Sequence, residues 1–397
     1  MDSWENDEAI QRFREYLKIP SVHPDVNYDG CVEFLKRQAN ELDLPMVAHE
    51  LVPGKPVVVI TWEGKDPRLP AILLNSHMDV VPVYEECWTH PPFEAKISEE
   101  GYIYARGTQD MKSVGMFHLE AVRRLKAAGV RLKRTVHVSF VPDEEIGGEH
   151  GMKAFAQSEQ FKALNVGFGL DESCPTTNSK VIQAFNGEKT NRQLKVTCRG
   201  KPGHGSLLQP NTAGEKLHFV LDRFMMYRAG EMQKQARGGW VGDLVTINLT
   251  QIEGGVQINV LPESLSLYFD VRIPPTIDHD DFDNMIRNWC REAGEDVTFE
   301  YVGNNASVEI TNIDESNQFW TALLGAVREI GYDIHCRICP GTTDARFVRQ
   351  QGIPVINFTP ILNSPVLLHA HDERIHVEVF RRGIAIMEKV VEAVANI

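Results

Sequence analysis

Apolar residues at Ile10, Phe13 and Leu17 recur at spacings of three and four and predict a helix over Ser3–Leu17. A second helical pattern covers Cys31–Leu42. Four short apolar runs follow without strict alternation: PVVVITW, AILLNSH, TVHVSFVP and VGFGLD. Such runs suit strands buried on both faces, as in a parallel sheet covered by helices. Among them lies a helical stretch, SVGMFHLEAVRRLKAAG, which ends on Gly129 where a C-terminal cap is expected. Strands alternating with helices predict an α/β fold with a central, mostly parallel sheet.

The pattern changes near Gly187. NRQLKVTCRG, DLVTINLTQIEGG, ESLSLYFDVRI and VTFEYVG alternate polar and apolar residues, as half-solvated antiparallel strands do. Helical stretches around Thr212–Tyr227 and Asp281–Ala293 separate them. The α/β style then returns, with a helix near Asn317–Ile330, a helical stretch at DARFVRQQG, a strand at PVINFTP and a C-terminal helix over Val377–Val394. The expected organisation is an α/β domain in two parts, residues 1–186 and 307–397, interrupted by an inserted α+β domain at 187–306.

Composition narrows the function. The chain has 397 residues, 42% hydrophobic and 24% charged, enough for a large core without disulfides. A net charge of −14 argues against non-specific binding to nucleic acid or an anionic membrane. No run is apolar for the ~18 residues a bilayer span needs. The acidic start, MDSWENDEAI, lacks the apolar core of a secretory signal. Seven scattered cysteines read as reduced, so a cytoplasmic protein is expected. Cys336 and Cys339 form one CxxC, but with no second pair they read as structural. Gly147-Gly148-x-x-Gly151 lacks the spacing of a dinucleotide loop.

Three of the buried strands run into metal-type ligands. AILLN leads into Ser76-His77-Met78-Asp79, HVSFVP into Asp143-Glu144-Glu145, and VGFGL into Asp171-Glu172. In open α/β sheets, ligands bind at the carboxyl ends of strands. Asp110 stands before a helix, where alone it would read as a cap. LLHAHDERIH adds His369, His371 and His376 beside Asp372 and Glu373. Together His77, His369, Asp110, Glu145 and Glu172 could hold two zinc ions, three carboxylates and a bridging hydroxide balancing the two cations. Asp79, two residues beyond His77 on a strand, could accept the imidazole N–H. Glu144, not needed as a ligand, would be the general base.

The motifs resemble those of the M20 family of di-zinc metallopeptidases. ILLNSHMDVVP is similar to the family's strand followed by H-x-D, RGTQDMK to G-x-x-D-x-K with the bridging Asp110, and PDEEIGG to the E-E-x-G pair of base and ligand. FGLDES and HAHDE complete the set, with His369 in the ligand place. The resemblance covers essentially the whole chain. It implies an α/β zinc-peptidase catalytic domain interrupted by a dimerisation (lid) domain, two Zn²⁺ per subunit, and a homodimer made through the insert. Met111 follows Asp110 where members usually carry a second acidic residue. That departure points to the branch hydrolysing N-acyl-L-amino acids, rather than to the carboxypeptidase and dipeptidase branches.

The same resemblance implies the substrate contacts. His204, in GKPGHGS, would reach the partner subunit's active site and stabilise the oxyanion. Asn259 and Arg272 would bind the substrate carboxylate and carbonyl, and Thr343 and Arg346 in TTDAR would face the scissile bond. The expected reaction is hydrolysis of an N-acyl-L-amino acid to a carboxylate and a free L-amino acid. A dipeptidase or carboxypeptidase with the same di-zinc site is the alternative. A non-enzymatic binding protein would have lost a ligand or the base, and all are present.

Overall fold

The computed structural model describes residues 4–397. Ser3, the expected first residue of the N-terminal helix, lies outside them; the helix runs Glu8–Leu17 because Asp7 caps it, accepting from the N–H groups of Ala9 and Ile10. Phe13 on its buried face stacks on Phe380 of the C-terminal helix Val377–Val394, with ring centroids 4.4 Å apart. The second helix spans Asp29–Glu41. The chain divides into two compact units: one runs to Asn186 and takes in Ile310–Arg337 and Thr343–Ile397, and the other comprises Gly187–Glu309 and Ile338–Thr342.

The first unit is built on eight strands: β1 (Met46–Val52), β2 (Lys55–Trp62), β3 (Ala71–His77), β4 (Val136–Val141), β5 (Val166–Asp171), β6 (Val181–Glu188), β7 (Asp333–Cys339) and β8 (Val355–Phe358). Their order across the sheet is β1-β2-β4-β3-β5-β8-β6-β7. The central run β4-β3-β5-β8 is parallel, and β1, β2 and β6 pair antiparallel at its flanks. Every residue of β3 and β4 is buried, as their mostly apolar, non-alternating sequences lead one to expect. The periodicity did not reveal β1, β6 or β7. β1 (MVAHELV) is largely exposed at the sheet edge and carries no clean apolar alternation.

Helix Lys112–Ala127 lies against this sheet almost wholly buried. Gly115 makes the approach possible: a Cβ there would meet the Phe140 ring at 2.7 Å and Ser76 Oγ at 2.9 Å. The helix ends as expected, with Gly129 at φ +72° beyond the last turn. Its start holds Asp110 beside the carboxyl ends of β3, β4 and β5.

In the second unit, strands Thr246–Gly254, Ser264–Ile273, Thr190–Arg199 and Val297–Asn304 form an antiparallel sheet in that order. Helices Ala213–Ala236 and His279–Ala293 pack on one face, with Phe224 stacked on Phe269 at 4.2 Å. The first of these helices passes its expected end at Tyr227 by two and a half turns. Its apolar period fades there because the far end is mostly exposed, and Glu231 instead accepts from the backbone N–H of Val245 at 3.0 Å.

Two glycines test the packing account. Gly115→Ala should destabilise by about 1–3 kcal/mol through overpacking. Gly325→Ala, in the helix Gln318–Glu329 with nothing within 4 Å, should stabilise by up to about 1 kcal/mol. Denaturant midpoints that move alike for both would contradict it.

Candidate metal centre

Three parallel strands and one helix start converge on a single point. His77 closes β3, Glu144 and Glu145 form a short 3-10 turn after β4, and Glu172 follows β5 directly. Asp110 lies between two imidazoles: its Oδ1 is 3.1 Å from His77 Nε2 and its Oδ2 is 3.3 Å from His369 Nε2. His77 Nε2 is also 3.6 Å from Glu172, and His369 Nε2 is 3.0 Å from Glu145. These distances define two donor clusters, His77–Asp110–Glu172 and Asp110–Glu145–His369, with Asp110 common to both. His371, two residues from His369, belongs to neither; its ring meets Tyr84 edge-on at 6.2 Å.

The electrostatics of the metal-free site are unfavourable. Burial and the charge of Glu172 push Glu144 well above the usual carboxylate range. Burial and Asp110 do the same to Glu172, and raise Glu145. Burial also opposes the charge on Asp110, but hydrogen bonds with His369 and His77 outweigh it and hold that carboxyl far below its ordinary value. His369 is pushed up to about 10 by Asp110 and Glu145. For His77, burial disfavours the charge, yet Glu172 and Asp110 drive it well above normal. Glu145 Oε1 is buried without a hydrogen-bond partner. Two imidazoles and three carboxylates that demand compensating positive charge fit a pair of divalent cations.

The neighbouring side chains hold the Glu144–Glu145 turn. The acceptor for His77 Nδ1–H is the Asp79 backbone oxygen at 2.8 Å; the Asp79 carboxylate, 3.7 Å away, is engaged elsewhere. That carboxylate accepts the N–H groups of Glu144 (3.2 Å) and Glu145 (3.0 Å) and pairs with His23 Nε2 at 2.9 Å. Asp143, at φ +63°, is gripped by Tyr28 Oη at 2.7 Å and Lys55 Nζ at 2.8 Å. Arg346 Nη2 donates to Gly147 O at 2.8 Å, and its guanidinium lies over the Phe347 ring. Thr343 Oγ1 accepts from Asn357 at 3.0 Å. Sequence reasoning missed His23, Tyr28, Lys55 and Asp344. Neither oxygen of Asp344 has a hydrogen-bond partner, and burial and Asp171 push it well above the carboxylate range. His23, Tyr28 and Lys55 reach the site through tertiary contact alone, whereas Asp344 lies within the TTDAR segment between Thr343 and Arg346.

The remaining expected residues lie in the second unit. His204 is exposed, and its Nδ1 accepts from the Ser206 backbone N–H, leaving Nε2 as the N–H donor. Asn259 is exposed, with its backbone oxygen accepting from Gly205 N at 2.8 Å. Arg272 Nε pairs with Asp270 at 3.1 Å.

Residues 73–393 match the description of peptidase family M20/M25/M40. The chain belongs to that family. It is 44% identical over 390 residues to aminoacylase-1 of Sus scrofa, covering 98% of this chain and 96% of that protein. Two solved structures share the fold. An M20 family metallo-carboxypeptidase from Sulfolobus solfataricus aligns with TM-score 0.72 at 18% identity, covering 98% of this chain and 99% of that one. A dinuclear metal-binding M20 peptidase of Bacillus subtilis aligns with TM-score 0.68 at 17% identity, covering 98% of each chain. The chain is therefore a metal-dependent amidohydrolase. Among the described residues no helix is long and apolar enough to cross a membrane.

Raised imidazole pKa values fix the sign of a proton linkage. The carboxylates that raise His77 and His369 favour their protonated forms, which compete with a cation for the same ring nitrogens. Adding zinc to chelator-stripped protein in weak buffer should release protons, and apparent affinity should fall as pH drops. Zinc uptake with no proton release would show that both imidazoles are already neutral before the metal binds, against the raised values.

Proposed function

We propose that this chain hydrolyses N-acyl-L-amino acids, giving a carboxylate and a free L-amino acid, with two zinc ions per subunit. One observation carries the reading: two three-residue donor clusters share the single carboxylate of Asp110. His77, Asp110 and Glu172 would hold one ion, and Asp110, Glu145 and His369 the other. The identity to aminoacylase-1 over nearly the whole chain supports the substrate class.

Bound zinc would supply Lewis acidity and a water of lowered pKa. Glu144, next to the ligand Glu145 but outside both clusters, takes the proton of the attacking water and passes it to the leaving amine nitrogen. Asp79 fixes this base by holding the backbone of Glu144 and Glu145. Arg346 supports the same turn at Gly147 and, with Thr343, stands near the scissile bond. Arg272 and Asn259 bind the substrate carboxylate and carbonyl, with Arg272 a local positive charge in an otherwise acidic protein. The Nε2–H of the partner subunit's His204 donates to the oxyanion of the transition state. The protein acts as a homodimer joined through the second unit. Its seven free cysteines suit the cytoplasm, where we place it.

Zinc-loaded protein assayed on N-acetyl-L-amino acids and on dipeptides tests the substrate class. Turnover of the N-acetyl series is expected; turnover of dipeptides alone would make the chain a dipeptidase. Glu144→Gln should abolish turnover and keep both zinc ions, whereas Glu145→Gln should lose zinc from one site. Metal lost from the Glu144 variant would overturn its role as base.

His204→Asn should lower kcat by about 10²–10³-fold, the effect of one oxyanion donor. Subunits of His204→Asn and Glu144→Gln, allowed to exchange, should regain activity. The mixed dimer holds one site with its own intact Glu144 and the intact His204 of the partner subunit. Activity that stays at the sum of the parents after proven exchange would place His204 within a single-subunit site.

A further inference from the structure

Glu373 lies four residues beyond His369 and its side chain is fully buried. A buried carboxylate is stable only when paired and hydrogen-bonded. Glu373 satisfies both conditions with groups from one short segment. Its Oε2 takes the Arg106 guanidinium at 2.8 Å and the Gly107 N–H at 3.1 Å. Its Oε1 takes Gln109 N–H at 2.5 Å and Asp110 N–H at 3.2 Å, with the Thr108 hydroxyl, which donates to Ala105 O at 2.9 Å, 3.3 Å away. Three backbone N–H groups within four residues thus close around one anion, the last belonging to Asp110 itself.

The same pair reaches the other ligand. Arg106 also donates to the carbonyl oxygens of Ala370 (3.1 Å) and His369 (3.4 Å), with its guanidinium over the Trp88 ring. His369 sits at φ +59°, a conformation that a non-glycine residue holds only when its surroundings impose it. Gln109 ties the segments again: its amide nitrogen donates to Pro365 O and Arg374 O, and its oxygen accepts from Leu367 N–H at 2.8 Å. Segment 105–110 ends on Asp110, segment 365–374 carries His369, and the two ligand side chains meet 3.3 Å apart.

We propose that Glu373, acting with Arg106, is the positioning residue of the metal centre: it touches neither metal nor substrate, and it sets the bridging carboxylate of Asp110 against His369. The proposal rests on the di-metal reading above. Glu373→Gln keeps the length and replaces one acceptor oxygen with a donor, leaving buried N–H groups and Arg106 unpaired. Glu373→Asp keeps the charge for Arg106 but is one methylene too short to satisfy all the donors together.

The test measures zinc stoichiometry and affinity by chelator competition, the visible spectrum of the Co²⁺-substituted protein, and the thermal melt of the metal-free chain. Both variants should bind zinc about 10- to 100-fold more weakly, the usual effect of losing an outer hydrogen bond to a ligand. Their Co²⁺ bands should be altered, and the metal-free Glu373→Asp chain should melt close to wild type. Wild-type zinc affinity and an unchanged Co²⁺ spectrum in the variants would overturn the proposal. A metal-free Glu373→Asp chain that no longer folds would also overturn it, making the residue a structural one. If Glu373→Gln fails to fold, Glu373→Asp decides alone. Wild-type protein that binds fewer than two zinc ions would instead overturn the di-metal reading itself.

Discussion

Asp110, Glu144, Glu145 and Glu172 face one another where water is scarce, and their mutual repulsion is the constraint around which the catalytic unit is organised. In water, carboxylates at such separations would be screened. Here burial and neighbouring charge push three of them towards the neutral acid, while Asp110 stays ionised only because two imidazoles flank it. An arrangement of this kind carries a folding penalty unless something of high positive charge binds to it. Metal binding and the stability of this corner are thus two faces of one equilibrium.

Holding such a site open requires rigid supports. Strands β3, β4 and β5 deliver His77, the Glu144–Glu145 turn and Glu172 from a parallel core that is buried at their carboxyl ends. The loops between are fixed by polar groups outside the two donor clusters. Asp79 holds the Glu144–Glu145 turn through two backbone N–H groups, Arg346 and Lys55 brace the same turn, and Glu373 with Arg106 joins the Asp110 loop to the His369 loop. Each is a buried or half-buried charge held by hydrogen bonds to its neighbours, so its position is strongly determined. The precision of the donor clusters lies in this outer layer as much as in the ligands.

The strands that end at the site were legible because a strand buried on both faces is mostly apolar without strict alternation, as AILLNSH, TVHVSFVP and VGFGLD are. β1 escaped notice because an exposed edge strand has no core face to pattern, and the helix Ala213–Ala236 was foreshortened because its last turns are mostly exposed. Within the site, the ligand types at strand ends and the HAHDE loop could be read locally. What could not be read is long-range: Glu373 meets Arg106 across more than two hundred and sixty residues of chain. Asp79 offered an ambiguous signal. Its spacing from His77 suggested a carboxylate–imidazole contact, and the backbone oxygen makes that contact while the carboxylate turns to the Glu144–Glu145 turn.

The central claim is that Asp110 bridges two cations. Anomalous diffraction at the zinc edge from crystals of the zinc-loaded protein tests it directly. The account predicts two peaks about 3.5–4 Å apart with an oxygen of Asp110 on each, His77 and Glu172 on one and Glu145 and His369 on the other. A single peak, or an ion held by His371 with Asp110 uncoordinated, would contradict it.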